Sequence, residues 1–233
     1  MPEALRVGDP PIEVRLRRDP RARRLILRLA RGTGSPVLTL PPGLPLATAR
    51  AFLNDQDGWL RGRLAARPIL RPVGDGTTLP FGDGRLTLLS TAQGRLRREG
   101  DRLLIPGPVG NLPLKAATFL RAAARDACAV QSARHAAALR RRVARISLRD
   151  PRSRWGSCTA TGDLMFSWRL ILAPSAVLDY VTVHEAAHLV EMNHGAAFWA
   201  LVARLCPDFQ DHRDWLRRNG PDLHCWDFSR RMT

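Results

Sequence analysis

The stretch that decides the fold runs from residue 173 to residue 198 and reads APSAVLDYVTVHEAAHLVEMNHGAAF. Four of its residues fall on one stripe of a 3.6-residue helix: Val177, Val181, His184 and His188. Most of their neighbours are apolar, which is typical of a buried helix. Buried polar groups without partners cost about 2 kcal/mol or more each. A divalent metal between the two imidazoles would satisfy both histidines and the intervening Glu185.

The motif His184-Glu185-Ala186-Ala187-His188 predicts a catalytic zinc site. Such a site uses three protein ligands and leaves the fourth position to water, whose proton Glu185 can accept. We predict His194 as the third ligand, because Met192-Asn193 can turn the chain. Glu191 is the alternative third ligand, and it stands where the metzincin pattern has glycine. A structural zinc is the competing interpretation, but such sites usually have four protein ligands, often cysteines.

Length and composition favour a folded protein of one large or two modest domains, since 45% of the 233 residues are hydrophobic. The first residues lack a signal-peptide pattern and no apolar run approaches about 18 residues, so we expect a soluble cytoplasmic protein without a membrane partner. Reduced thiols are expected because the four cysteines form no CxxC pair: Cys128, Cys158, Cys206 and Cys225.

The formal net charge of +16 is unevenly distributed. Residues 1–150 hold 28 Lys and Arg against 12 Asp and Glu, whereas residues 151–233 hold nine of each. The basic part could attract nucleic acid, although Lys115 is the only lysine beside 36 arginines, which suggests coding bias. A solvated basic face is the competing interpretation.

The sequence pattern predicts that residues 1–106 form a small β-rich module with one helix. Apolar and basic residues alternate in segments 12–18 and 23–31, and residues 37–40 form a third short strand. Residues 46–66 carry a helical stripe, and residues 77–105 contain glycine-rich turns typical of strand pairs. A proline-rich segment at 106–113 separates this module from the part that holds the metal motif.

Residues 114–143 predict a long helix, and residues 152–172 a hairpin that leads into the metal helix. An edge strand there could hold an extended peptide by strand addition. Cys158 lies in this hairpin as a candidate metal or redox thiol, although a small buried strand residue is the more common role. His135 is expected to be a surface or half-buried residue rather than a ligand. Residues 208–218 are predicted to form a helix that Gly220-Pro221 ends.

The sequence resembles the bacterial YgjP-like metal-dependent hydrolases, a group related to SprT-type zinc metallopeptidases. The resemblance rests on these segments: Arg154-Trp155-Gly156-Ser157-Cys158, residues 168–174 (WRLILAP), residues 178–181 (LDYV), His184-Glu185 with His188, Asn193-His194 and Phe198-Trp199. It implies a zincin-like catalytic half with His184, His188 and His194 as zinc ligands and Glu185 as the catalytic residue. Gly195 and Ala186 depart from the family pattern, which commonly has Ser and Leu there, but neither belongs to the metal set.

The predicted fold is therefore α+β, with the β-rich module in residues 1–106 and a zincin-like metallopeptidase domain with an HExxH helix in residues 107–233. The predicted function is a zinc metallopeptidase in which Glu185 activates a metal-bound water to cleave peptide bonds. Tyr180, His212 or Arg169 could stabilise the oxyanion. The alternatives are hydrolysis of a non-peptide amide or ester, and a nucleic-acid-associated protein in which zinc braces the fold.

Overall fold

The structure is a computed structural model that describes residues 3–30, 34–65 and 69–229. The fold is mixed α+β, with several small sheets and six α-helices in the described ranges. The chain divides into two compact units, residues 1–67 and 68–233. No helix within the described ranges is long and apolar enough to cross a membrane.

The first unit is a four-stranded sheet with two helices. Its elements are β1 (Ala4–Val7), β2 (Ile12–Arg18), β3 (Ile26–Leu29), β4 (Pro36–Leu40), α1 (Leu46–Asp55) and α2 (Asp57–Ala65). The strand order is β1-β2-β4-β3, and only β2 and β4 run parallel. Alternation in β2 sends Val14 and Leu16 into a core with Leu53 and Leu60 of the helices. The single helix predicted at 46–66 is thus interrupted at Gln56, and its last residue lies outside the described ranges.

The second unit begins with a short strand and another four-stranded sheet. Its first elements are β5 (Arg71–Pro72), β6 (Thr78–Phe81), β7 (Gly84–Thr91), β8 (Arg97–Glu99), β9 (Arg102–Pro106) and α3 (Leu112–Ala138). The sheet has the order β6-β7-β9-β8, in which β7 and β9 are parallel and the other pairs are antiparallel. Leu88, Leu103 and Ile105 pack into the same core as Leu120 of α3.

The remaining elements surround the metal motif. They are β10 (Arg145–Arg149), β11 (Gly156–Cys158), β12 (Asp163–Ser167), a 3-10 turn at 168–172, α4 (Ser175–Ala187), α5 (Ala196–Leu205), α6 (Phe209–Leu223) and β13 (Trp226–Asp227). The three-stranded sheet has the order β10-β12-β11, so β11 lies at an edge as predicted. β13 pairs in parallel with β5. Helix α6 continues through Gly220 and Pro221, where we had predicted its end.

The domain boundary predicted after residue 106 falls inside the second unit. The reason lies in the contacts between the sheet of β6–β9 and the metal helix. The Ser175 N–H at the start of α4 donates to Asp83 Oδ1 at 2.9 Å, and the Gly82 N–H donates to the Ile171 carbonyl at 3.0 Å. The sheet also shares its hydrophobic core with α3 and α4. Residues 68–106 therefore pack with the part of the chain that carries the histidines.

Candidate metal centre and its cleft

Helix α4 is buried against α3, β11 and α6, which fixes the direction of its side chains. His135 on α3 is one of its anchors: the ring is buried, and Nε2 lies 2.7 Å from Asp179 Oδ1 on α4. His135 is thus more buried than the surface or half-buried position predicted for it, because it pairs with the half-buried Asp179, and it lies outside the candidate ligand cluster as predicted. His184 and Glu185 lie in the last turn of α4, and His188 is its C-cap residue.

The structure brings together the three histidines of the motif. Their candidate ligand nitrogens all lie within 4.8 Å of one another, and the Nε2 atoms of His184 and His194 are 3.0 Å apart. Two nitrogens bound to one tetrahedral zinc at about 2.0–2.1 Å would be about 3.3 Å apart. The observed spacing therefore fits three imidazoles around a single divalent ion.

The orientation of His188 is set by a backbone carbonyl. His188 Nδ1 lies 3.0 Å from the carbonyl oxygen of Glu191. A carbonyl can only accept, so Nδ1 carries the proton and Nε2 keeps the lone pair that a metal needs. Glu191 was the alternative third ligand, but its carboxylate lies outside the group of potential ligands found among the described residues. Glu191 thus contributes its main-chain carbonyl, which orients His188, rather than its carboxylate.

An aromatic wall encloses the histidine cluster on one side. The fully buried Phe198 ring has its centroid 4.9 Å from the ring of His184, 4.5 Å from His188 and 4.7 Å from His194. The neighbouring Trp199 on α5 has its ring centroid 5.9 Å from the ring centroids of both His184 and His194. Burial disfavours the charged forms of His184 and His188, and neutral imidazole is the form that binds metal.

Burial shifts the protonation of the central residues. Burial, with the neighbouring positive charges of His188, His194 and Arg213, lowers the pKa of His184 to about 4. Burial also lowers the pKa of His188. For Glu185, burial raises the pKa to about 8, while the nearby Arg154 opposes this shift. A carboxyl group with a proton affinity near neutrality suits both acceptance and donation of a proton.

Two adjoining cavities meet at Glu185 and share Gly156, His184 and Glu185 in their walls. The larger, of about 350 Å³, extends beside the start of β11 and one side of α6: it is also lined by Arg154, Trp155, Tyr180, Val181, Arg213, Leu216 and Arg217. The smaller extends beside the end of β11: its other lining residues are Ser157, Cys158, His188, Met192 and His194. Together they form a cleft that follows the edge strand across the histidine cluster.

The structure separates the residues proposed to assist catalysis. Tyr180 lines the larger cavity. Arg169 is buried elsewhere, where it binds Asp150 and donates to the carbonyls of Leu223 at 2.9 Å and Trp226 at 3.0 Å. His212 lines neither cavity, although its ring lies 6.4 Å from that of Tyr180.

Cys158 lies in the smaller cavity as a free thiol. Burial, followed by the negative charges of Glu185 and Asp163, raises its pKa to about 11. The Sγ–H donates to the Thr159 carbonyl at 3.3 Å. A protonated thiol of this kind is a poor metal ligand, because metals bind the thiolate.

Sequence reasoning missed the arginines of the cleft. Arg213 and Arg217 are four residues apart on a helix, so their common face could have been read from the spacing. That Arg154 faces them across the cavity depends on long-range packing, which the spacing does not reveal.

Comparisons with known proteins identify the domain. A model of the YgjP-like metallopeptidase domain matches residues 23–219, which is most of the chain. A solved structure, the metallopeptidase zymogen of Pyrococcus abyssi abylysin, is 15% identical and aligns with a TM-score of 0.37 over 40% of this chain and 93% of that chain. No curated protein matches the sequence.

Proposed function

The chain belongs to the YgjP-like family of metallopeptidase domains, and from this premise we propose that it is a zinc-dependent peptidase in which Glu185 moves the protons. One observation carries the proposal: three imidazoles converge beside a buried carboxyl group at the centre of a cleft. Peptide substrates follow from the family, whereas zinc and the role of Glu185 rest on the chemistry of these residues.

His184, His188 and His194 would hold the zinc through their Nε2 atoms. The proton on His188 Nδ1 and the short Nε2 separation between His184 and His194 support this assignment. Among the described residues the cluster holds three histidines and no fourth ligand, which is typical of catalytic rather than structural zinc. When bound, zinc supplies the Lewis acidity that makes water reactive near neutral pH and that polarises a peptide carbonyl.

Glu185 is proposed to accept the proton of the attacking water on its carboxylate and to pass it to the departing amine nitrogen. Its buried position keeps bulk water from competing for that proton. The backbone of Gly156 packs directly against the Glu185 side chain, and this contact restricts where the carboxylate can point. The residue is therefore held rather than free to turn into solvent.

The edge strand β11 is proposed to bind the substrate backbone. The Ser167 N–H donates to the Trp155 carbonyl at 2.8 Å, and the Thr159 N–H donates to the Asp163 carbonyl at 3.0 Å. Since hydrogen-bonded pairs alternate in an antiparallel ladder, Gly156 and Cys158 direct their N–H and C=O groups to the opposite edge. An extended peptide can add to that edge as a further strand and so pass beside the histidines.

The test is Glu185→Gln, which keeps the size of the side chain and removes its basicity. We expect the variant to retain zinc, measured by elemental analysis, and to lose cleavage of a peptide library by about 100-fold or more. Glu99→Gln on β8 is the matched control and should cleave like the wild type. Unchanged cleavage by Glu185→Gln would contradict the proposal, and cleavage of ester or non-peptide amide substrates alone would favour the broader hydrolase assignment.

A nucleic-acid partner is a second candidate, favoured by one face of the sheet in the first unit. Arg15 and Arg28 flank Val37 in the strand register, and Arg17 follows on the same face; all three arginines are exposed. Binding should weaken with salt, and Arg15→Ala with Arg17→Ala should reduce the logarithmic salt slope by about two. Arg50→Ala on α1 is the control. A slope unaffected by the sheet variants would contradict this role.

A further inference from the structure

The end of the cleft beside the start of β11 is lined by arginines. Arg154 directly precedes Trp155 and the edge strand, whereas Arg213 and Arg217 project from α6 into the same cavity. Residues four apart on a helix share a face, which explains why both α6 side chains reach the cavity. Arg152 lines an adjoining cavity together with Arg154 and Arg217, so the basic surface continues outward from the catalytic centre.

These positive charges are poorly balanced within the cleft. Within the described part of the chain, Glu185 is the only acidic residue that lines the larger cavity, and none lines the adjoining cavity. Arg217 has one acidic neighbour, Asp214, at 3.3 Å, but both side chains are substantially exposed, and such pairs contribute little free energy. The cleft therefore keeps a positive potential that can act on a bound ligand.

One of the arginines is held in place before any ligand arrives. The guanidinium carbon of Arg213 lies 5.0 Å from the centroid of the Trp199 ring, a cation–π contact. Trp199 in turn stacks on Phe209, with the two centroids 5.4 Å apart. An arginine supported in this way loses less conformational entropy when it binds a carboxylate, and its planar group can form two parallel hydrogen bonds.

We propose that Arg154, Arg213 and Arg217 form a specificity site for a carboxylate of the peptide substrate, on one side of the scissile bond. This inference rests on the proposed peptidase function, since it assigns the substrate class of the same cleft. The site recognises the carboxylate of an Asp or Glu side chain or of a chain terminus. A substrate strand along β11 places successive residues at about 3.3 Å intervals, so residues near the cleaved bond pass these arginines.

The surroundings of the arginines favour a peptide over a nucleic acid. Apolar side chains form much of the cavity wall, among them Trp155, Val181 and Leu216. The edge of β11 offers backbone groups that match an extended peptide. These features fit one acidic residue on a peptide strand.

The experiment measures kcat/KM for zinc-loaded wild-type protein on matched peptides. Each peptide carries Asp or Glu, or the neutral Asn or Gln, at one position within three residues of the cleaved bond, with a free or an amidated C-terminus. We expect acidic peptides to be preferred by about twofold to fivefold at positions on one side only. Loss of the preference on amidation identifies a terminal carboxylate, and its retention identifies a side chain.

A charge-reversal pair tests the assignment to these residues. Arg217→Glu should abolish or invert the ratio of kcat/KM between acidic and neutral peptides, whereas Arg218→Glu makes the same charge change on an exposed neighbouring residue that lies outside the cavity lining. The ratio is insensitive to a uniform loss of activity. If Arg217→Glu leaves the ratio of kcat/KM between acidic and neutral peptides unchanged, the inference is overturned. The same holds if Arg217→Glu weakens oligonucleotide binding and leaves that ratio unchanged.

The proposed function and this inference fail in different ways. Cleavage without any acidic preference leaves the peptidase assignment intact and removes the specificity site. Absence of all peptide cleavage by the wild type removes both.

Discussion

Gly156 lies so close to Glu185 that a β-carbon at position 156 would meet the carboxyl carbon at 2.7 Å and the Cγ at 2.6 Å. Both distances are shorter than a side-chain β-carbon tolerates, so the edge strand passes the carboxylate at this distance only with glycine. The contact joins the strand proposed to bind substrate to the residue proposed to move protons.

We therefore expect Gly156→Ala to displace Glu185 and to lower kcat by about 100-fold, since a misplacement of about 1 Å can cost that much. Zinc content should persist because the three histidines do not depend on this contact. Gly110→Ala is the control, because a β-carbon there meets nothing within 4 Å. Full activity in Gly156→Ala would show that the packing is unimportant for the reaction.

Removal of the third histidine should remove the metal. His194→Ala leaves only two imidazoles, and we expect zinc affinity to fall by more than about 100-fold, since loss of a supporting hydrogen bond alone costs about 10- to 100-fold. The measurements are zinc content after dialysis against a chelator and peptide hydrolysis. His212→Ala should keep its zinc, because His212 lies outside the histidine cluster. Equal zinc retention in the two variants would refute the ligand assignment.

Asp179 should stabilise the protein in a pH-dependent way. Burial alone would raise its pKa, but the hydrogen bond and charge of His135, with those of Arg134, outweigh burial and lower the pKa. A carboxylate with a depressed folded-state pKa contributes stability above its unfolded pKa of about 3.9 and loses it as pH falls through the folded-state value.

Asp179→Asn is therefore expected to lower the free energy of unfolding at pH 7 by about 1.5–3 kcal/mol, the range for hydrogen bonds to charged groups. The difference from the wild type should shrink as the pH falls below about 4. Asp126→Asn, an exposed change on α3, should stay within about 0.5 kcal/mol at every pH. Denaturant unfolding across this pH range measures both variants, and a pH-independent difference would rule out the ionic contribution.

Tyr180 is the residue expected to stabilise developing negative charge. Burial raises its pKa to about 12, so the hydroxyl remains a neutral donor across the working pH range. We expect Tyr180→Phe to lower kcat by about 100-fold with little change in KM, as for other donors to an oxyanion. If KM rose by about 100-fold while kcat stayed unchanged, Tyr180 would have a role in substrate binding instead.

The sequence predicts the parts of the site that depend on local periodicity. His184 and His188 share a stripe because their spacing matches a helical turn, and the alternation in residues 12–18 matches the observed strand β2. The convergence of His194 with these two histidines agrees with the predicted ligand set, while the identity of the ion and the role of Glu185 stay predictions.

Features set by distant contacts could not be read in this way. The parallel pairing of β7 with β9, and of β10 with β12, joins strands that are separated by other elements. Asp83 accepts the Ser175 N–H at the start of α4 across a sequence separation of 92 residues, and residue 106 lies within the second compact unit. Pro221 has no N–H to donate to the Arg217 carbonyl, yet α6 continues to Leu223, so the local rule that proline ends a helix does not hold at this position.

Within residues 3–30, 34–65 and 69–229, the hydrophobic cores of the two units have no residue in common. Cooperative unfolding depends on shared burial, so the chain should melt as two transitions rather than one. The histidine cluster lies in the second unit, so a metal that binds there should raise the temperature of that transition alone. The first unit could thus vary widely in evolution without altering the thermal tolerance of the catalytic centre.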